Sequence, residues 1–288
     1  MNTQNPLISI CIPAYNAASF INETLNCWKN QSYTKLEIIV QDDCSTDETY
    51  KIALESASVD ERIKVFKNSK NLGIGNNWNE AYRKVNGEYV VIFNADDIVP
   101  KNFIETLLSI LQGDINLDYA SCEFKYWILN KDDTYTQKNT YHSMPEGEIE
   151  AINDLLFKGY PFSHVFTLHK KTALDKLILP TNDLFITHQV CDYELWIRMG
   201  LANFKGYHTN KIFGYYRKHF SNNSSIHNAE FSGTYVVLKH HDELKNQNKN
   251  LYQKWIAHNI YYHLKNCLRH GKTPHLKSIF LLFQYYFK

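Results

Sequence analysis

The sequence predicts an α/β fold: a mostly parallel sheet flanked by helices, followed by a helical C-terminal extension. Three observations predict it. Short apolar runs and amphipathic stretches alternate four times in about the first 110 residues, as parallel strands joined by helices require. Two acidic clusters, Asp42-Asp43 and Asp96-Asp97, stand where two of those runs end. From about Asn228 onward the pattern is helical throughout.

Leu7 to Ile12 is a short apolar run ended by Pro13 and reads as a buried strand. Phe20, Ile21, Thr24, Leu25 and Trp28 then recur at helical spacing. Leu36 to Val40 is a second buried strand, running directly into Gln41-Asp42-Asp43-Cys44-Ser45-Thr46-Asp47. A polar helix follows to about Ala57; Ser45-Thr46-Asp47-Glu48 has the form of its start, with Asp47 as a cap. Ile63 to Phe66 is a third strand, Asn71 to Gly75 a loop and Asn77 to Val85 a helix. Tyr89 to Phe93 is the fourth strand, and Pro100 opens a helix reaching Leu111, proline being tolerated in a first turn.

Beyond that point the pattern loosens. Tyr119 to Phe124 reads as a strand, Lys131 to Met144 as a polar, turn-rich excursion, and Ile152 to Phe157 as a helix. Cys191 to Leu201 is a helix with Leu195, Trp196 and Met199 inward, and Phe213 to Arg217 a short strand. Two or three helices complete the chain. The expected organisation is 1–112, 113–220 and a helical segment 221–288, the first two being halves of one domain.

Composition narrows the function classes. Hydrophobic residues make up 44% of the 288 and charged residues 21%, which suffices for a sizeable core. A net charge of +1 argues against a nucleic-acid partner. The six cysteines (11, 27, 44, 122, 191 and 267) form no C-x-x-C pair, so neither a zinc site nor a redox motif is expected. Met1 to Pro6 lacks the basic start and apolar stretch of a signal peptide, and no run is long enough to span a bilayer. A reducing, cytoplasmic setting is the expectation. The 20 tyrosines and 16 phenylalanines, with Trp78 and Trp196, read as core residues before sugar platforms.

Ligands of parallel sheets bind beyond the carboxyl ends of the strands, which is where both acidic clusters fall. Adjacent carboxylates repel, and no Lys or Arg is built into either motif, so a divalent cation, Mn2+ or Mg2+, shared with substrate phosphates is the expected compensation. Such a cation would neutralise a departing nucleoside diphosphate. An attacking hydroxyl would need a base, and Asp192, at the start of a helix, is the candidate; its bland alternative is a carboxylate that only stabilises the helix N-terminus.

Four segments in order carry a resemblance: Pro13-Ala14-Tyr15-Asn16, Asp42-Asp43-Cys44-Ser45-Thr46-Asp47, Asn94-Ala95-Asp96-Asp97 and Cys191-Asp192-Tyr193-Glu194-Leu195-Trp196. Together they resemble the family-2 glycosyltransferases with a GT-A, Rossmann-like fold, over about residues 7 to 220. The resemblance implies that Pro13, Tyr15 and Asn16 line the nucleotide base pocket and that Asp42 and Asp43 contact base and ribose. It places Asn94, Ala95 and Asp96 on the Asp-x-Asp motif, with Asp96 on the metal, and lands the catalytic base on Asp192; the adjacent Asp97 is a further candidate metal ligand. It implies transfer with inversion from a nucleotide-sugar donor, UDP-linked by default, to a saccharide or lipid-linked saccharide acceptor in polysaccharide or glycoconjugate biosynthesis. His219 matches a position close to the diphosphate, as metal or phosphate ligand or as a plain loop histidine. Asn79 matches an asparagine that would meet phosphate, or cap or pack.

The chain departs from the family pattern three times. Cys44 replaces the usual glycine, so a left-handed backbone there is disfavoured or, if adopted, strained. Asn94 replaces the first aspartate of Asp-x-Asp: it can still bind the nucleotide, through its ribose or a metal-bound water, but brings no charge, which weakens the case for metal dependence. Cys191 replaces the usual glutamate before the base and reads as a small neutral residue.

The C-terminal stretch Lys239 to Lys288 carries nine Lys/Arg against two acids and ends in the apolar run Ile279 to Phe287. Two readings stand: helices lying peripherally on an anionic membrane, or helices packed on the domain with solvated lysines. A sugar nucleotidyltransferase would carry a Gly-rich basic phosphate loop after the first strand, which Pro13 to Asn16 is not. A non-catalytic nucleotide-sugar-binding module would be favoured by Asn94 but not by the presence of Asp192.

Overall fold

The computed structural model describes residues 5–130, 132, 134–139, 144–150, 164–187, 191–219, 230–270 and 276–287. Four strand–helix pairs open the chain: β1 (Ile8–Ala14), α1 (Ile21–Lys29), β2 (Leu36–Asp42), α2 (Thr49–Val59), β3 (Ile63–Lys67), α3 (Ile74–Tyr82), β4 (Tyr89–Ile92) and α4 (Phe103–Gly113). Then come β5 (Tyr119–Leu129), β6 (Tyr135–Asn139), β7 (Gly147–Glu150), β8 (Thr167–Lys170), α5 (Lys171–Asp175), α6 (Cys191–Leu201) and β9 (Lys205–Lys218). These nine strands form one sheet ordered β3-β2-β1-β4-β8-β5-β9-β7, with β6 on β5. The β3-β2-β1-β4 portion is parallel, as is β5 with β9; β8, β6 and β7 pair antiparallel.

One face of the first half is sealed by helices. Ile8, Ile10 and Ile12 of β1 pack with Ile21, Leu25 and Trp28 of α1 and with Phe103, Ile104 and Leu107 of α4 in one buried cluster. Trp28 meets Phe93 and Phe103 edge-on, at 4.8 and 5.8 Å between centroids, an arrangement that suits ring quadrupoles. The other end of the sheet, away from the strands' carboxyl termini, is closed by a buried carboxylate. Glu37 accepts hydrogen bonds from the Ser9 hydroxyl (2.5 Å) and the Asn86 backbone N–H (2.7 Å), so its charge is not left bare.

Several expected boundaries move. Pro13 does not end β1, which continues to Ala14 in register with Asp42. The helix expected from Asn77 begins at Ile74, and the one expected from Pro100 begins at Phe103. The excursion 131–144 contains β6, whose hydrogen-bonded partner is the far half of a β5 longer than expected. The short strand at Phe213 is the end of the 14-residue β9. β9 mixes lysines, tyrosines and glycines, so neither alternation nor apolar content announces it. The helix expected over 152–157 lies outside the described residues.

The described residues up to His219 form one compact unit, and those from Glu230 form a second. The second comprises α7 (Glu230–Gln247), α8 (Lys249–His270) and α9 (Leu276–Tyr286), with a kink at His240 in α7. Its interior holds Leu244, Tyr252, Trp255, Ile256, Ile279 and Leu282. The Tyr252 hydroxyl meets His241, joining α8 to α7, and the Gln253 side-chain amide donates to the Tyr286 carbonyl at 3.3 Å, joining α8 to α9. Among the described residues no helix is long and apolar enough to cross a membrane.

Two glycines let β9 lie under aromatic rings. A Cβ at Gly206 would stand 2.1 Å from the Tyr119 ring, and one at Gly214 would stand 2.1 Å from the Phe166 ring. Phe166 is itself stacked on Phe124 at 5.4 Å, so it has little room to retreat. Gly214→Ala is therefore expected to destabilise the protein by about 1–3 kcal/mol through overpacking, read as a lower urea midpoint at unchanged m-value.

Candidate active site

The loops after β1 and β2 are laced together at the carboxyl edge of the sheet. Asn16 Oδ1 accepts the Thr46 N–H at 2.9 Å, and the Asn16 N–H donates to Ser45 Oγ at 2.9 Å. The Ala17 N–H donates to Thr49 Oγ1 (2.7 Å) and the Ala18 N–H to Asp47 Oδ2 (3.1 Å). The N-cap of α2 is Glu48, not the expected Asp47; Asp47, one residue before it, accepts the Thr49 N–H at 3.0 Å. Pro13 is buried in β1, whereas Tyr15 is 50% exposed on the loop.

Asn16 and Cys44 both have left-handed backbones, with φ of 49° and 59°. Of the two expectations for Cys44, avoidance of positive φ or a strained left-handed backbone, the chain adopts the second. Hydrogen bonds on either side fix the turn: Asp43 N–H to the Ala14 carbonyl at 2.8 Å, and Ser45 N–H to Asp42 Oδ2 at 3.0 Å. The left-handed turn forms here without a glycine, at a cost of about 1–2 kcal/mol for a residue with a Cβ.

Neither motif holds a Lys or Arg of its own, and groups far away in the chain compensate both acidic clusters. Lys67, at the end of β3, puts Nζ 3.8 Å from the buried Asp42 Oδ2. Asp42 Oδ1 is buried with no hydrogen-bond partner among the described residues. Asp43 is consumed by protein donors: Oδ1 accepts from Asn68 Nδ2 (2.7 Å) and the Leu72 N–H (2.8 Å), and Oδ2 accepts from the Gly73 N–H (2.9 Å). It thereby shapes the 68–73 loop ahead of α3.

The second cluster is organised by Arg217, from β9. The Arg217 backbone N–H donates to Asp97 Oδ1 at 2.8 Å, and Asn94 Nδ2 donates to Asp97 Oδ2 at 3.0 Å. Asp97 is fully buried; burial first, then the neighbouring Asp96 charge, push its carboxyl well above the usual carboxylate range against those hydrogen bonds. The Arg217 guanidinium donates to the Asp96 carbonyl (2.7 Å), the Tyr135 hydroxyl (2.6 Å) and Glu23 Oε2 (2.7 Å). It lies 5.0 Å from the Phe20 ring centroid and 4.7 Å from that of Trp127. The Asp96 side chain faces His219, with Oδ2 2.9 Å from Nε2, and Phe20 packs on the His219 ring at 4.2 Å. Among the described residues, no three His, Cys, Asp or Glu side chains form a metal cage.

Asp192 lies in the first turn of α6. Its Oδ1 accepts the Tyr193 N–H at 2.8 Å, and its Oδ2 stands 3.4 Å from His164 Nδ1. Surrounding protein opposes ionisation of this carboxyl, but the hydrogen bond and charge of His164, with the Tyr193 amide, outweigh it and hold its pKa below the ordinary value. Trp78 of α3 packs on the His164 ring at 4.7 Å and meets Phe185 edge-on at 5.1 Å. Asn79 is occupied in the same region: its amide donates to the Phe185 carbonyl and accepts the Phe185 N–H, both at 2.8 Å. Cys191 is buried, and burial pushes its thiol well above the usual range, so it stays neutral.

The carboxylates nearest Asp192 in sequence are engaged in the framework. Glu194 is fully buried against Arg198, whose Nη2 is 2.9 Å away. Arg198 also donates to the carbonyls of Leu177 (2.5 Å) and Leu184 (2.6 Å). Asp183 pairs with Arg83. The sequence reading missed Arg217, His164 and Lys67. Arg217 stood at the end of a segment read only as a short strand, Phe213 to Arg217; His164 and Lys67 sit in no patterned segment.

The family model for glycosyl transferase family 2 matches residues 9–177, more than half the chain. The chain belongs to this family. It is 33% identical over 126 residues to a putative teichuronic acid biosynthesis glycosyltransferase of Bacillus subtilis, covering 44% of this chain and 48% of that one. It is 30% identical over 209 residues to the amylovoran biosynthesis glycosyltransferase of Erwinia amylovora, covering 68% and 65%. The matches to two uncharacterised glycosyltransferases of Haemophilus influenzae span 33% and 50% of those proteins, so the chain corresponds to half or less of several relatives. Among solved structures, S. aureus TarS 1-349 in complex with UDP-GlcNAc matches with a TM-score of 0.68 at 19% identity, covering 87% of this chain and 70% of that one. The mannosyltransferase PcManGT of Pyrobaculum calidifontis, in complex with GDP-Man and Mn2+, matches with a TM-score of 0.64 at 19% identity, covering 98% and 74%. The architecture of this family-2 chain is that of the GT-A enzymes.

Because Arg217 satisfies three separate groups with one planar fork, lysine cannot replace it. Arg217→Lys is expected to leave the Tyr135 hydroxyl or the Asp96 carbonyl unpaired and to lower stability by about 1–3 kcal/mol, measured by chemical denaturation.

Proposed function

We propose that the protein transfers a sugar from a nucleoside-diphosphate sugar to an acceptor hydroxyl with inversion. The observation that carries this reading is the meeting of Asp96 and His219, 2.9 Å apart although 123 residues separate them, at the carboxyl edge of the sheet. A carboxylate oxygen and an imidazole nitrogen are donors that Mn2+ accepts, and Mg2+ accepts the first of them readily. Asp96 and His219 would hold such an ion, which supplies charge neutralisation at the departing diphosphate when bound. Asp97, expected as a ligand, has both oxygens engaged and is assigned here to fixing the loop; Asn79 is likewise assigned to holding Phe185.

Asp42 Oδ1, a buried acceptor, suits an N–H of the nucleotide base, with Pro13 at the end of β1 and Tyr15 and Asn16 on the loop that follows it as the neighbouring wall. Asp43 then acts indirectly, by holding the 68–73 loop. Asp192 is the general base. As the acceptor oxygen bonds to the anomeric carbon and the bond to the phosphate oxygen breaks, the hydroxyl proton passes to Asp192, so no covalent enzyme intermediate is needed. The donor is proposed to be a UDP-sugar and the acceptor a saccharide, free or lipid-linked. The relatives' roles in teichuronic acid and amylovoran biosynthesis support a place in surface polysaccharide assembly.

Two substitutions test the assignments. Asp192→Asn is expected to fold and bind nucleotide normally but to lose about 10²–10⁴-fold in transfer; retention of more than about a tenth of wild-type turnover would move the base elsewhere. Asp96→Asn is expected to abolish the manganese-dependent increment in UDP affinity seen by calorimetry, and an unchanged affinity would remove Asp96 from the site.

His164 is proposed to position Asp192 and keep it ionised. A lowered pKa means that the base stays deprotonated to lower pH, so the acid limb of kcat/KM lies below that of an unassisted aspartate. His169, the other histidine near His164, is pushed down to about 3 by burial and remains neutral across the working range. Removing the imidazole with His164→Phe should raise the Asp192 pKa, shifting the acid limb to higher pH and lowering kcat while donor KM is maintained. An unshifted limb would leave His164 a packing residue.

A further inference from the structure

The second compact unit presents an apolar stripe to its surroundings. On α9, Leu276, Phe280, Phe283 and Phe287 are 73%, 64%, 45% and 79% exposed. Their spacing of four, three and four residues places them within an arc of about 60° on a helix turning about 100° per residue, Phe287 lying just past the last helical residue. Ile279 and Leu282 of the same helix are buried. The helix therefore has apolar anchorage on one side and a second row of large apolar groups, three of them aromatic, that the unit's own core does not use. Such patches on a soluble unit mark contact surfaces.

Charge indicates what the surface contacts. The stretch from Lys239 to Lys288 has nine basic residues and two acids. Both acids sit on α7 beside histidines: Glu243 lies 2.9 Å from His240, and Asp242 lies 3.8 Å from His241. Lys249, Lys254 and Lys265 of α8 are exposed, and none has a carboxylate partner among the described residues. A protein partner with an apolar groove would account for the stripe alone. An anionic lipid surface accounts for both features, because acyl chains accept the phenylalanines while phosphate headgroups attract uncompensated lysines.

We propose that the three-helix unit is a peripheral anchor for anionic membranes, with the Leu276–Phe280–Phe283–Phe287 stripe as its inserted edge. This does not depend on the chemistry assigned to the first unit. The test is sedimentation of the full chain with vesicles of phosphatidylcholine alone or mixed with a third phosphatidylglycerol, at low and high salt. Binding is expected with the mixed vesicles only and should weaken as salt rises, because screening shortens the reach of the lysines. Phe280→Ser with Phe283→Ser should lower partitioning at least about tenfold, as loss of two buried aromatic side chains requires. Phe287→Ser, beyond the helix end, tests the same edge with little demand on folding, and circular dichroism checks both variants. Equal sedimentation with neutral vesicles, none with either, or partitioning unchanged in both variants would overturn the proposal. So would concentration-dependent self-association of the wild-type chain that the variants abolish, since a second copy would then cover the stripe.

Discussion

The site depends on one buried cation. Arg217 brings a permanent positive charge to the carboxyl ends of the strands, where Asp96 and Asp97 would otherwise repel each other without relief. Its backbone N–H satisfies Asp97, and its guanidinium reaches the Asp96 carbonyl, Tyr135 on β6 and Glu23 on α1. Aromatic faces of Phe20, Trp127 and Tyr135 enclose the charge, so it is removed from water yet matched on every side. Four segments are thereby joined through one side chain. The next residue but one, His219, is brought against Asp96 as a consequence of where β9 ends.

Environment sorts the carboxylates into two kinds. Asp43, Asp97 and Glu194 have their oxygens committed to the framework: backbone amides and Asn68 for Asp43, the Arg217 N–H and Asn94 for Asp97, and the Arg198 guanidinium for Glu194. Each is buried, and each defines a loop or helix that the site rests on. Asp42, Asp96 and Asp192 differ. Asp42 keeps a buried oxygen without a hydrogen-bond partner among the described residues, and Asp96 and Asp192 each face a histidine from a distant part of the chain. A histidine neighbour steadies a carboxylate through a hydrogen bond while leaving its state responsive to what else is bound.

The departures from the family pattern find physical compensation. Cys44 keeps the left-handed turn because the amides on either side are tied to Asp42 and to β1. Asn94, which brings no charge, spends its amide on Asp97, steadying the one carboxylate of that cluster most disfavoured by burial. Cys191 is a neutral buried thiol beside Asp192, so no carboxylate immediately precedes Asp192 and it ionises without repulsion from that side.

Local sequence determined the elements whose pattern is local. Four apolar runs became four parallel strands, the spacing of Ile21, Leu25 and Trp28 became the inward face of α1, and Cys191 to Leu201 became α6 with those same limits. It also placed the acidic motifs at strand ends, because a strand's end is legible where an apolar run meets a polar one. The long β5–β9 pairing and β6 were not legible: β9 mixes tyrosine, lysine and glycine and its partners on β5 lie about 90 residues away, while β6, Tyr135 to Asn139, is a short polar segment that pairs with the far half of β5. Nor could the sequence tell which aspartates are consumed. Asp96 and Asp97 are adjacent and chemically identical, and the fold alone decided that one meets His219 while the other is closed off by Arg217 and Asn94. Charge compensation acts through space, so Lys67, His164 and Arg217 acquired their roles only when the chain folded them against the strand ends.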